Sequence, residues 1–427
     1  MISAKKIQNG KINARLYPIY KMISWDLLFY YSLIYLFLTQ AKGFSASQVL
    51  FAEAIFTSLC LIVQIPVGII VEKIGKKRSL VFANICMCLF IIILIFLRSY
   101  IQLFVAYFFD AIGYVIKSVC ETNILYDSLP KGKKRGSLYS SLDGLGASRY
   151  YRVDAVTSLI AGYAFVINPY LPIVLCLIGN IISTILASRF KNIQMPEDDI
   201  EEKTTTKEYF IQLKDTVKFI KNSKRIACLL IFFGLVSGLF HNITTFRSSV
   251  LEQINLPEQY FGIVFAFSQI FAAIFSRIQN LIQRRYKNTT LAHLGIPLTI
   301  SCIIIGIFAL GKISSIKTFI IIALFILQGA IKGVYNVLIY RYLNNFTTKE
   351  IRTKLATIRN IAFNLFSIVI SLFGSLLLHV SDASTTIIII GVSMTIIMIL
   401  LLDYMKDKVG LKLEEYTKED LKYSMPE

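Results

Sequence analysis

The chain is short of acid and short of imidazole: 26 Asp and Glu stand against 45 Lys and Arg, with three His in 427 residues. In a soluble protein a formal charge of +19 would point to nucleic acid. Here the basic residues fall almost entirely in the polar gaps between long apolar runs, so they read as membrane topology signals, and no nucleic-acid partner is expected. The seven cysteines, Cys60, Cys86, Cys88, Cys120, Cys176, Cys228 and Cys302, all lie inside apolar runs. They lack both metal-ligand spacing and a secreted disulfide framework, so they read as small buried apolar residues. No nucleotide-binding loop and no pairing of nucleophile with base is visible, which argues against an enzyme and leaves no cofactor to expect. Lys5, Lys6, Lys11 and Arg15 are not followed by a small-residue cleavage site after a short apolar core, so no removable signal peptide is expected.

Apolar length is what the chain has in abundance. Hydrophobic residues make up 55% of it and the mean hydropathy is +0.63. A helix needs about 20 apolar residues to cross a bilayer, and the sequence predicts twelve crossings, near 17–40, 47–71, 79–98, 100–126, 150–167, 169–190, 226–250, 257–282, 289–311, 317–343, 355–379 and 385–404. Every second connection is rich in Lys and Arg: the N-terminal tail, Lys73 to Arg78, Lys131 to Arg135, Arg189 to Arg225, Arg284 to Lys287 and Lys349 to Lys354. The positive-inside rule then places both termini in the cytoplasm of a multi-pass protein expected in the cell membrane. Residues 1–190 form a first bundle of six spans and 226–405 a second. Between them, 191–225 is a cytoplasmic linker in which Tyr209, Phe210, Leu213, Val217 and Ile220 recur at helical spacing among lysines. That pattern suits a helix on an anionic membrane surface or a solvated linker helix. Residues 406–427 are a cytoplasmic tail.

A charged hairpin, Pro66-Val-Gly-Ile-Ile-Val-Glu-Lys-Ile-Gly-Lys-Lys-Arg-Ser-Leu80, sits between the second and third runs. The pattern of Gly68, Glu72, Lys73, Gly75, Lys76, Lys77 and Arg78 resembles the cytoplasmic signature loop of the major facilitator superfamily, with Glu72 where that family usually has Asp. The halves also echo one another at an offset of about 212 residues, and Ile116-Lys117-Ser118-Val119 in the fourth span answers Ile331-Lys332-Gly333-Val334 in the tenth at an offset of 215. The resemblance implies an all-α membrane fold of two pseudo-symmetric six-helix bundles. It further implies alternating access driven by a proton or substrate gradient in a chain able to act as a monomer, with helices 1, 4, 7 and 10 lining a substrate cavity. It would place Asp26, Tyr30, Asp110, Lys117, Glu121, His241, Lys332 and Asn336 in substrate-binding or coupling positions. The glycine-rich antiporter run of that family is not visible around Gly144 to Gly162, and Phe109 and Asp110 stand where its export arginine would be.

The residues themselves leave alternatives open. A lysine at the centre of a span costs roughly 2.5 to 3.5 kcal/mol on insertion scales, so Lys117 and Lys332 require protein or water around them. Lys117 and Glu121, four apart, share a helical stripe with Asp110. They form either a self-neutralising pair or a switchable proton site with Asp26. Tyr30 and Leu33 are expected on the same helical stripe as Asp26, an acid beside aromatics that suits a cationic or amphipathic ligand. His241 is either a proton relay or a packing histidine. Gly329 and Gly333 around Lys332 spell GxxxG, a mark of close helix packing. Arg149 and Arg152, with Arg352 and Arg359, read as an inner gate, and Asp127 as a partner for Lys76. Export of small amphipathic molecules or drugs and uptake or exchange of an anionic or zwitterionic metabolite are both compatible with these residues. A membrane sensor or scaffold that no longer transports is the reading of another class.

Overall fold

The computed structural model describes residues 2–130, 135–192, 224–286, 290–345 and 349–409. Among them there are thirteen helices and no strand: α1 (Ile2–Ser24), α2 (Ile34–Leu36, running into a π-helical turn Phe37–Ala41), α3 (Ala46–Ile74), α4 (Lys76–Ile95), α5 (Tyr100–Ser128), α6 (Arg135–Ile167), α7 (Leu171–Arg189), α8 (Lys224–Gln253), α9 (Gln259–Tyr286), α10 (Thr290–Ala309), α11 (Ser315–Asn345), α12 (Lys349–Val380) and α13 (Ala383–Val409). Ten of these are long and apolar enough to cross a membrane: α3, α4, α5 and α7 to α13. Their outward faces are apolar too, as Ile101 at 73%, Phe319 at 72% and Val380 at 78% exposure illustrate. Such faces suit lipid, which solvates hydrocarbon that water would reject. The linker helix expected within 193–223 and the tail beyond residue 409 lie outside the described residues.

Helix ends follow local chemistry. Gly75 has φ +88, a value open to glycine, and turns the chain from α3 into α4 in one residue. Ser99 and Gln102 form a reciprocal capping box at the start of α5. Lys42 Nζ donates to the carbonyls of Ile95, at 2.8 Å, and Leu97, at 3.1 Å, closing the end of α4.

Two of the twelve expected crossings differ from expectation. The run at 17–40 is not one helix: it breaks over residues 25–33, where Phe29 has φ +65. The run at 150–167 belongs to α6, which begins at Arg135, so the chain from 135 to 149 is helix where a connection was expected. Neither α1 nor α6 is among the ten: α1 ends at Ser24, short of most of its apolar run, and carries Lys5, Lys6, Lys11, Arg15 and Lys21, while Asp143, Arg149, Arg152 and Asp154 interrupt α6.

Two compact units follow, one gathering the described residues of 1–44, 55–203 and 258–266, the other those of 45–54, 204–257 and 267–427. In the first, α4 packs on α5 and α7 while α1 lies against α6, α7 and α5. Tyr17, Tyr20, Val67, Leu80, Ile116 and Phe190 fill its core. In the second, α8 packs on α12 and α13, and α10 on α13 and α11. Phe232, Phe246, Leu298, Phe325 and Tyr335 are its large buried side chains.

Candidate functional site

In the first unit α1, α5 and α6 bring four buried or half-buried charges into one cluster. On α5, Lys117 Nζ stands 3.8 Å from Glu121 Oε1, with both side chains under 10% exposed. Across from them, α1 supplies Ser24, whose hydroxyl donates to Glu121 Oε1 at 3.3 Å, and Tyr20, which also hydrogen-bonds Glu121. Asn84 on α4 fixes the Tyr20 hydroxyl by donating to it at 3.0 Å. One residue along α1, Lys21 Nζ lies 2.5 Å from Asp143 Oδ1 of α6, and Tyr17 donates its hydroxyl to the same oxygen at 2.8 Å. The Lys21 ammonium also sits 4.6 Å from the Trp25 ring centroid, a cation–π distance. Two ammonium groups thus face two carboxylates, each held by at least one hydroxyl. Removing one partner from such a buried pair costs about 3 to 5 kcal/mol, because the other is left uncompensated.

Lys21 and Asp143 were not among the residues expected from sequence. Lys21 lies inside the apolar run at 17–40, where its insertion cost was a usable signal. Asp143 precedes Gly144 and Gly146 and falls outside the run at 150–167, so nothing local marked it as helical.

Beyond Ser24 the chain leaves the helix, so Asp26, Tyr30 and Leu33 do not share a helical stripe. Asp26 is half-buried, accepts from the Leu27 amide at 3.0 Å and is hydrogen-bonded by Tyr31. The buried Asp110 of α5 lies within electrostatic reach of both Asp26 and Lys117, so the break joins the α5 stripe. Tyr30 turns inward, edge-to-face with Phe90 at 5.7 Å and Tyr31 at 5.0 Å. Trp25 meets Tyr150 and Tyr151, both at 5.2 Å.

In the second unit His241 meets Phe363 edge-on at 5.6 Å and lies within electrostatic reach of Lys332. Lys332 is half-buried and Asn336, one turn on, is exposed. Gly329 and Gly333 are close-packing positions: a Cβ would come within 2.5 Å of the Ser268 carbonyl oxygen and 2.1 Å of that of Ala272 on α9. The Arg359 guanidinium stands 5.8 Å from the Phe233 ring centroid.

At the hairpin, Lys76 Nζ pairs with Asp127 Oδ2 at 2.5 Å. Asn13, Lys77, Arg78 and Lys191 line the same recess of about 400 Å³. The Arg149 side chain is half-buried, while Arg152 is exposed and donates to Ser148 one turn back at 3.1 Å. The backbones of Gly68, Glu72 and Lys73 are helical, but the side chains of Glu72, Lys73 and Arg352 lie outside the described residues, as does any packing at Gly68.

A family model described as Major Facilitator Superfamily matches residues 20–316 and 296–421. The chain belongs to that superfamily. It is therefore a multi-pass membrane transporter and not an enzyme. Solved superfamily-like folds agree: the nucleoside transporter NupG superposes with TM-score 0.72 at 13% identity, over 93% of this chain and 99% of that one. A structure of proton dependent oligopeptide transporters gives 0.63 at 13% identity, over 94% and 100%. The peptide transporter POT bound to alafosfalin gives 0.67 at 10%, over 95% and 94%. At these identities the likeness is one of fold. No curated protein matches the sequence. As a superfamily transporter the chain carries a small-molecule substrate across a bilayer.

Proposed function

We propose that this chain is a proton-coupled secondary transporter of a small zwitterionic or anionic metabolite, acting as a monomer in the cell membrane. The observation that carries the reading is the pairing of Lys117 with Glu121 and of Lys21 with Asp143 in one buried cluster. A ligand bearing both an ammonium and a carboxylate can exchange with such pairs without leaving net charge in a low-dielectric site. Glu121 is the proton carrier in this scheme, since Lys117 is its direct counter-ion and protonation releases that lysine for a ligand carboxylate. In the second unit, Lys332, beside His241 and an exposed Asn336, is a separate candidate anion contact. The names of the fold neighbours, a nucleoside transporter and peptide transporters, support small polar cargo.

Export of small amphipathic molecules or drugs is the second reading, favoured by the Trp25, Tyr150 and Tyr151 rings close to Asp26. Tyr30, turned into the core, adds nothing to it. The deciding experiment is uptake into proteoliposomes under an imposed pH gradient, with uridine, dialanine and the lipophilic cation tetraphenylphosphonium as probes. Gradient-driven uptake of a polar probe that Glu121→Gln uncouples from pH supports metabolite transport. Movement of tetraphenylphosphonium alone replaces it with the export reading.

A further inference from the structure

Residues 45–54 belong to the second unit, although α3 from Ile55 onward belongs to the first. Their seat is built by α8 and α12. Ser47 donates its hydroxyl to the Ser375 carbonyl at 2.8 Å, and Ser375 donates to the Ser47 carbonyl at 2.9 Å. Val49, Leu50 and Ala52 are buried, and Leu50 lies against α12. Gly374 of α12 makes room for them: a Cβ there would lie 2.7 Å from Leu50 Cδ2 and 2.7 Å from Phe246 Cζ. Deeper in the same seat is a carboxyl group, Glu53, whose Oε1 accepts a short hydrogen bond from the Thr245 hydroxyl of α8 and whose Oε2 has no contact with solvent.

We propose that Glu53 is a proton-responsive latch: as the neutral acid it keeps residues 46–54 seated, and as the carboxylate it lets them leave. A carboxyl enters an apolar seat at far lower cost neutral than ionised, and the neutral acid still accepts the Thr245 hydroxyl at its carbonyl oxygen. No other Asp, Glu, Lys, Arg or His occurs on α3 between Ala46 and Val71. On α8, the buried Arg247 is two residues past Thr245, about 200° around the helix. On α12, His379 is one turn beyond Ser375, the partner of Ser47, and is exposed. Pro66 aside, α3 is continuous from this seat to Gly75, so the latch occupies the opposite end of the helix from the Lys76 hairpin. Its part in transport rests on the proton-coupled reading above; its response to protons does not.

Hydrogen–deuterium exchange of the full chain in lipid nanodiscs tests this directly, reading the peptide that covers 46–54 at about pD 5.5 and about pD 7.5 after correction for intrinsic exchange. Protection about tenfold greater at the lower pD is expected, together with high and pD-independent protection in Glu53→Gln. Equal protection of the unmodified protein at both pD values, or a pD response that survives Glu53→Gln, overturns the proposal. Thr245→Val keeps the carboxyl and is expected to lower protection at the lower pD; if Glu53→Gln does not fold, an unchanged Thr245→Val overturns the latch. A pD response in a protein whose transport ignores the proton gradient would remove the coupling reading and leave the latch standing.

Discussion

The α5 and α11 stripes carry the same lysine at an offset of 215 and surround it differently. Lys117 is 4% exposed, with a carboxylate one turn on and α1 laid across both. Lys332 is half-buried, and the position matching Glu121 is Asn336, neutral and exposed. The first copy is therefore a closed ionic cluster in which every charge already has a partner. The second sets a half-buried cation beside His241 and a neutral, exposed amide. Duplicated helices have kept the expensive residue and given it different neighbours.

The sharpest way to break this contrast is at Asp143. Asp143→Ala leaves Lys21 buried without its counter-ion and should lower stability by about 3 to 5 kcal/mol, read as a fall in the thermal unfolding midpoint, with partial recovery in Lys21→Met/Asp143→Leu. If Asp143→Ala is neutral, the closed cluster is not what holds α1 to α6. At Glu121, glutamine should abolish the pH dependence of uptake, whereas Asn336→Ala should leave it intact; equal effects would erase the distinction. Lys332→Gln should change which probe charge is carried while moving the unfolding midpoint less than any change to the Lys21 pair. Asp382→Ala should cost about 1 kcal/mol by removing the N-cap of α13, whose carboxylate accepts from the Thr385 amide at 3.1 Å. Partial burial raises the pKa of that carboxyl, but hydrogen bonds from Thr385 and Gln253 outweigh this and hold it below the ordinary value. Its contribution is present at neutral pH and lost as the solution is acidified through the depressed pKa, so thermal melts of the two proteins should converge in acid. The smallest effect belongs to Lys76→Ala: this partly exposed pair with Asp127 is worth about 0 to 1 kcal/mol, an increment that added salt should reduce.

Much of the fold was legible because a bilayer imposes one length on every crossing, and ten helices fall on predicted runs. Lys117 and Glu121 were legible for a related reason: charges four apart in an apolar run have to meet each other or something else. The break in α1 was not. The segment Trp-Asp-Leu-Leu-Phe-Tyr-Tyr-Ser-Leu at 25–33 contains neither Gly nor Pro, so local propensity favours continuing the helix. Tertiary contacts, the Tyr30 ring against Phe90 and Trp25 against Tyr150 and Tyr151, accompany the departure. The pairing of Lys21 with Asp143 was hidden by distance along the chain, 122 residues apart, and Glu53 by its isolation in an otherwise apolar run.

That break makes the start of the chain two levers on one pivot. The lower arm, α1, is bolted to α6 through Lys21; the upper arm ends at Lys42, which grips the last carbonyls of α4. A push on the lower arm can be absorbed at residues 25–33, beside Asp26, instead of being passed to the upper arm, whose anchorage to α4 is separate.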